Sequence, residues 1–107
     1  LPLTPEEALF AAALSNLRDA ARTLCRTRNW SLRPLHRLGA LTEEAAELNK
    51  AIRGKGGDVI EETGDVLFTA LAMVPEEVSM YDVLQVNRDK RERLKTAPPY
   101  AGEDRDD

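Results

Sequence analysis

Cysteine, histidine and aromatic residues are scarce here: the sequence has one cysteine, one histidine and one tryptophan, and aromatics make up 5%. The lone Cys25 excludes an internal disulfide framework and any Cys-rich metal site, and it fits a reducing, cytoplasmic setting. Long apolar runs are missing too. Ala8 to Leu14 is too short to span a bilayer, and Glu6 and Glu7 stand upstream of it where a signal peptide carries Lys or Arg, so no membrane partner is expected. Strand signals are few, with no extended alternation of β-branched residues and no Asn-Gly or Asp-Gly joining two such runs. Nor is there an excess of positive charge. Fifteen Lys plus Arg stand against 19 Asp plus Glu, a net charge of −4, which disfavours a nucleic-acid polymer as partner. The 107 residues suit one domain.

What is present is charge of both signs, unevenly placed, and abundant helix punctuation. Between residues 16 and 37 six arginines (18, 22, 26, 28, 33 and 37) face a single acid, Asp19. Between 38 and 65 the acids Glu43, Glu44, Glu47, Asp58, Glu61, Glu62 and Asp65 outnumber Lys50, Arg53 and Lys55. Thr4-Pro5-Glu6-Glu7 offers a capping threonine, a first-turn proline and a glutamate three residues on, opening a helix to about Arg28. Its repeat puts Phe10, Leu14, Leu17, Ala21 and Leu24 on one face, with Arg18, Arg22 and Arg26 as a solvated stripe opposite. A second helix begins near Pro34, with Leu38, Leu41, Ala45, Leu48 and Ile52 in register, and stops at Gly54. A third runs from a cap at Asp58 until Pro75 interrupts it, and a fourth from a capping box at Ser79 to about Leu94. The expectation is an all-α, four-helix bundle-like domain over residues 1–95, with a flexible acidic tail over 96–107.

Stepping about 100° per residue around the second helix puts Glu43, Glu44 and Glu47 in one arc, with small Ala40 and Ala51 beside them. Leucines occupy a second arc, and Arg53 and Lys50 a third. Glutamates that only solubilise a helix usually share their face with basic partners at i+4, and these do not. On the third helix Glu62 and Asp65 lie three apart on one face, with Gly64 between them at a cost of about 0.5–1 kcal/mol against alanine. That cost is understandable if a backbone or ligand passes close by. If the two helices form an antiparallel hairpin across Gly54-Lys55-Gly56-Gly57, the acids meet. Like charges 4 Å apart repel by about 4 kcal/mol at an effective dielectric near 20, so such a cluster is protonated or holds a cation. Oxygen-only ligands suit Mg²⁺ or Mn²⁺. A solvated acidic face is the alternative reading of the same spacing.

Glu43-Glu44-Ala45-Ala46-Glu47 followed by Glu62-Thr63-Gly64-Asp65 resembles the E-E-x-x-E…E-x-x-D signature of the MazG-like nucleoside triphosphate pyrophosphohydrolases, which are all-α. The likeness extends to Leu41-Thr42 and to Val66-Leu67-Phe68, and covers about residues 8–95. It implies two long antiparallel core helices carrying the acidic motifs, in a fold completed by oligomerisation as a homodimer or homotetramer. It implies cleavage of a nucleoside triphosphate between the α- and β-phosphates, with Glu44, Glu47, Glu62 and Asp65 as Mg²⁺ ligands and Glu43 as the general base. Asn87 and Lys90 resemble the family's N-x-x-K element and would hold phosphates; a basic last turn matching the helix dipole is the structural alternative.

Trp30 occupies the place of an aromatic that packs on the base in the dCTP-preferring branch; alternatively it anchors the loop to the core. His36 falls on the acidic arc, where it would touch substrate or a carboxylate, or else stands at the surface near a helix start. The role implied is nucleotide-pool house-cleaning. A phosphoribosyl-ATP pyrophosphohydrolase shares the acidic signature, and a silent helical module that dimerises and binds metal or nucleotide is the non-enzymatic alternative.

Overall fold

Thr4 Oγ1 accepts the backbone N–H of Glu7 at 3.2 Å while the Glu7 carboxylate accepts that of Thr4 at 2.8 Å. This reciprocal box, with Pro5 in the first turn, opens helix α1, Pro5–Thr27, in a computed structural model that describes residues 1–99. Three more helices follow: α2, Pro34–Ile52; α3, Val59–Ala72; and α4, Met80–Leu94. The described residues contain no strand, so the fold is all-α as expected. The expected acidic tail lies outside the described residues from position 100 onward. No described helix is long and apolar enough to cross a membrane.

The stops are local chemistry. After α1, Asn29 takes a left-handed backbone (φ 58°), and Trp30 and Asn29 N–H reach back to Cys25 and Arg26 carbonyls at 2.7 and 3.1 Å. After α2, Gly54 (φ 71°) does the same, with Lys55 and Gly54 N–H on Lys50 and Ala51 carbonyls at 2.9 and 3.0 Å. Both are paired back-bonds of the kind that satisfy the last orphan carbonyls of a helix. Asp58 caps α3 through the Ile60 N–H at 3.0 Å, and Ser79 caps α4 through the Asp82 N–H at 3.2 Å.

Helix α2 packs on α3, α3 on α1, and α1 on α4; among the described residues no other pair of helices packs together. The buried core is correspondingly thin. One cluster joins Leu3, Ala11 and Met80, and another joins Ala21, Cys25 and Ala72, with Leu32 and Phe68 against it. Arg88 fastens α4 to the start of the chain, donating to the Pro2 carbonyl at 3.0 Å and pairing with Glu7 at 3.3 Å.

Two faces differ from the sequence expectation. On α1 the arginine stripe is solvated only at Arg26: Arg18 is 4% exposed and Arg22 is buried, while on the apolar face Ala21 is buried but Phe10 is 68% and Leu17 57% exposed. The cause is the end of α3 together with the α3–α4 connection, whose carbonyls lie against α1. Arg18 Nη1 donates to the Pro75 and Val78 carbonyls at 3.1 and 2.5 Å, and Arg22 Nη1 donates to the Ala72 carbonyl at 2.8 Å. Glu76 closes the group by pairing with Arg22 Nε at 3.0 Å and with Arg26. The Arg26 hydrogen bond, then a backbone N–H and Arg22, hold the Glu76 carboxyl down at about 2.

On α2 the leucine arc is only partly the inner face, with Leu41 and Leu48 half-buried. Leu38, Ala45 and Ile52 are exposed and Ala51 is buried, because α3 packs on the side that carries the acids and the small alanines. Gly64 also departs from expectation: a Cβ there would meet nothing within 4 Å among the described residues, so no close backbone approach there calls for a glycine.

Candidate metal centre

Antiparallel packing across the glycine loop brings Glu44 of α2 against Glu62 and Asp65 of α3. One carboxylate oxygen from each lies within 4.8 Å of the others, and all three side chains are half-buried. Partial burial first, then the charges of Asp65, Glu47 and Glu43, raise the Glu44 carboxyl above its ordinary range. Partial burial, then Asp65, Glu44, Glu47 and Glu61, raise that of Glu62. Burial and neighbouring like charges both favour the protonated forms of these two acids, and a cation held among them would favour the carboxylates.

The loop is shaped to this cluster. Gly57 has φ 83°, and a Cβ on it would stand 3.3 Å from Glu62 Oε1 and 3.7 Å from the Ala51 side chain. Only glycine takes that backbone at that distance without strain. The sequence marked Gly57 simply as loop, and the left-handed turn against Glu62 was the missing signal. Three oxygen donors within 4.8 Å, with no nitrogen or sulfur ligand among them, fit a hard divalent cation such as Mg²⁺ or Mn²⁺.

A cavity of about 250 Å³ adjoins the acids, lined by Trp30, Arg37, Ala40, Glu44, Asp65, Phe68 and Thr69. Arg37 and Ala40 precede Glu44 on one face of α2, and Phe68 and Thr69 follow Asp65 on α3, so the cavity has an acidic end and an aromatic end. The back-bonded turn after α1 delivers Trp30 to it, and the Arg28 guanidinium lies 5.9 Å from the Trp30 ring centre.

The remaining sequence candidates lie elsewhere. Glu43 is exposed and does not line the cavity, though its charge reaches Glu44. Glu47 is exposed, outside the three-acid group, and 3.9 Å from Lys50 Nζ. His36 is exposed, with Nδ1 2.6 Å from Ser31 Oγ. Asn87 and Lys90 are on α4, which packs on α1 alone; they border a groove with Glu77, Val83 and Val86, and Asn87 Oδ1 accepts from Arg91 Nε at 2.9 Å. One chain thus brings together Glu44, Glu62, Asp65 and Trp30, and leaves Asn87, Lys90 and His36 apart. Arg37 was passed over in the sequence as one of many arginines, although it stands two helical turns before Glu44 on the same face.

Residues 33–96, well over half of the chain, match the family model described as the MazG nucleotide pyrophosphohydrolase domain. No curated protein and no solved structure gives a match.

Proposed function

The chain belongs to the MazG nucleotide pyrophosphohydrolase family, and on that premise we propose that it hydrolyses nucleoside triphosphates to the monophosphate and pyrophosphate with Mg²⁺, Mn²⁺ substituting. The observation that carries this reading is the convergence of Glu44, Glu62 and Asp65 within 4.8 Å beside a cavity with an aromatic wall. Glu47, one turn beyond Glu44, joins the ligand set if its weak pairing with Lys50 is given up, which costs little for an exposed pair. Bound Mg²⁺ supplies charge neutralisation at the triphosphate oxygens and polarisation of the α-phosphorus.

The chain's own residues do the rest. Glu44, Glu62 and Asp65 would hold the cation, and its charge would keep the phosphates at the acidic end of the cavity. Glu43, exposed at the edge of the acidic group, accepts the proton of the attacking water in solvent-accessible space. Trp30 and Phe68 flank the nucleoside. A nucleotide-pool house-cleaning role follows from this chemistry if the substrates are non-standard or surplus dNTPs.

We place the second requirement in assembly. Ile60 at 84% and Leu67 at 60% exposure on α3, with Phe10, Leu17 and Leu24 spaced by sevens on α1, leave apolar faces that no described element covers. A homodimer or homotetramer covers these faces, and a second copy is also the route by which Asn87 and Lys90 reach a phosphate.

The test is pyrophosphate release from a panel of dNTPs and NTPs with Mg²⁺, beside an Asp65→Asn variant. Release of pyrophosphate and monophosphate in equal amounts, lowered by two orders of magnitude or so in the variant, is expected. Orthophosphate as the first product, or an unaffected variant, refutes the assignment. Binding of nucleotide with no turnover by either protein establishes the silent module instead.

A further inference from the structure

Among the described residues Arg37 is the only cationic side chain on the cavity wall, and its surroundings do not account for it. Among the described residues no carboxylate pairs with it, and its Nε is buried without a hydrogen-bond partner. Its Nη1 faces only the Cys25 sulfur, at 3.8 Å. A thiol is a weak acceptor, and a guanidinium carries five donors with no way to shed its charge. Leaving donors unmet in a part-buried position is costly, and the Nη2 group, unlike the enclosed Nε, is accessible to a ligand in the cavity.

The position of the group says which part of a nucleotide it would meet. Cys25 is fully buried, so contact with its sulfur puts the guanidinium at the inner, aromatic end of the cavity. Arg37 also lies two turns from Glu44, about 10 Å along the helix axis. The phosphates belong at the acidic end, where a cation can bridge them to Glu44 and Asp65. The part left for the aromatic end is the base.

We propose that Arg37 is a specificity-determining residue that reads the base of the nucleotide by donating to its acceptor edge, a role that rests on the nucleotide reading above. A planar fork of N–H donors matches two adjacent acceptors. Cytosine offers O2 and N3, and guanine offers O6 and N7, whereas adenine and thymine pair each such acceptor with a donor or a methyl-bearing edge. Arg37 therefore favours cytosine and guanine nucleotides over adenine and thymine ones.

The experiment compares the full chain with Arg37→Met and Arg37→Lys, both checked for an unchanged helical melt, in kcat/KM for dCTP, dGTP, dATP and dTTP with Mg²⁺. The expected result is a wild-type preference for dCTP or dGTP that Arg37→Met reduces by about tenfold or more through KM, and that Arg37→Lys does not restore. An equal loss on all four substrates makes Arg37 a phosphate contact and overturns the proposal.

Trp30, the one tryptophan in the sequence, gives a readout independent of turnover. Its fluorescence is titrated with deoxycytidine, deoxyguanosine and deoxyadenosine, which carry no phosphate, in the absence of metal. Selective quenching by the first or second that is lost in Arg37→Met upholds the base contact even if no triphosphate is hydrolysed. Unselective quenching, or none, overturns it even if hydrolysis is found.

Discussion

Replacing Glu44 by glutamine should stabilise the metal-free protein and weaken the metal-loaded one. The glutamate lies in a three-acid group whose nearest oxygens are within 4.8 Å, and it makes no hydrogen bond to a described residue that glutamine would lose. At that distance one like-charge contact is worth about 3 kcal/mol at an effective dielectric of 20 and about 1 kcal/mol in bulk water. The group is half-exposed, so the lower figure governs, and about 1 kcal/mol corresponds to a rise of roughly 4–8 °C in Tm for a domain of this size.

The sign depends on pH. The folded-state pKa of Glu44 is raised by burial and by Asp65, so the folded protein holds this proton more tightly than the unfolded chain. Metal-free stability is therefore higher on the acid side and falls as pH rises through the shifted range. The advantage of Glu44→Gln appears only above that range and vanishes below it. Mg²⁺ at a hundred times its Kd adds about 2.7 kcal/mol to the wild type, more than the variant gains, so the order of the two melting temperatures inverts. Thermal melts at one fixed protein concentration, with EDTA and then with Mg²⁺, read both effects. Equal Tm values in EDTA at neutral pH, or an equal rise with Mg²⁺ in both proteins, would refute the reasoning.

Three further outcomes follow from the packing. Arg18→Ala strips two carbonyls, of Pro75 and Val78, of a buried donor and should cost about 2 kcal/mol or more in urea unfolding, whereas a solvated arginine would cost a few tenths. Glu76→Gln should lower Tm at neutral pH. Because the folded pKa lies near 2, below its ordinary value of 4.5, the deficit shrinks as acid protonates the wild-type carboxylate between those values. A deficit that persists unchanged at pH 2 contradicts the ion pair with Arg26 and Arg22. Leu17→Asp, on the exposed seam of α1, should reduce the mass measured by light scattering to that of one chain, and a wild type already monomeric at high concentration sinks the assembly.

The sequence by itself determined the local structure, because caps, left-handed stops and helix spacing act within a few residues. Thr4, Asn29, Gly54, Asp58 and Ser79 delimit helices near where their chemistry says they should. The i, i+3 spacings also established that Glu44 shares a face with Glu47, and Glu62 with Asp65, and the combination carried the family resemblance.

Which face turns inward was decided only by tertiary contact. A hydrophobic stripe on α1 reads as core by periodicity, yet the carbonyls at the end of α3 and in the α3–α4 connection draw Arg18 and Arg22 inward and leave Phe10 and Leu17 outside. On α2 small Ala40 and Ala51 let α3 approach on the acidic side, displacing Leu38 and Ile52 from the core. The same packing makes Gly57 a neighbour of Glu62, sets Arg37 at the inner end of a cavity, and keeps Asn87 and Lys90 on a helix that never meets the acids within one chain. Spacing along a helix fixes which side chains travel together; what they travel toward depends on the donors and acceptors that the rest of the chain leaves unsatisfied.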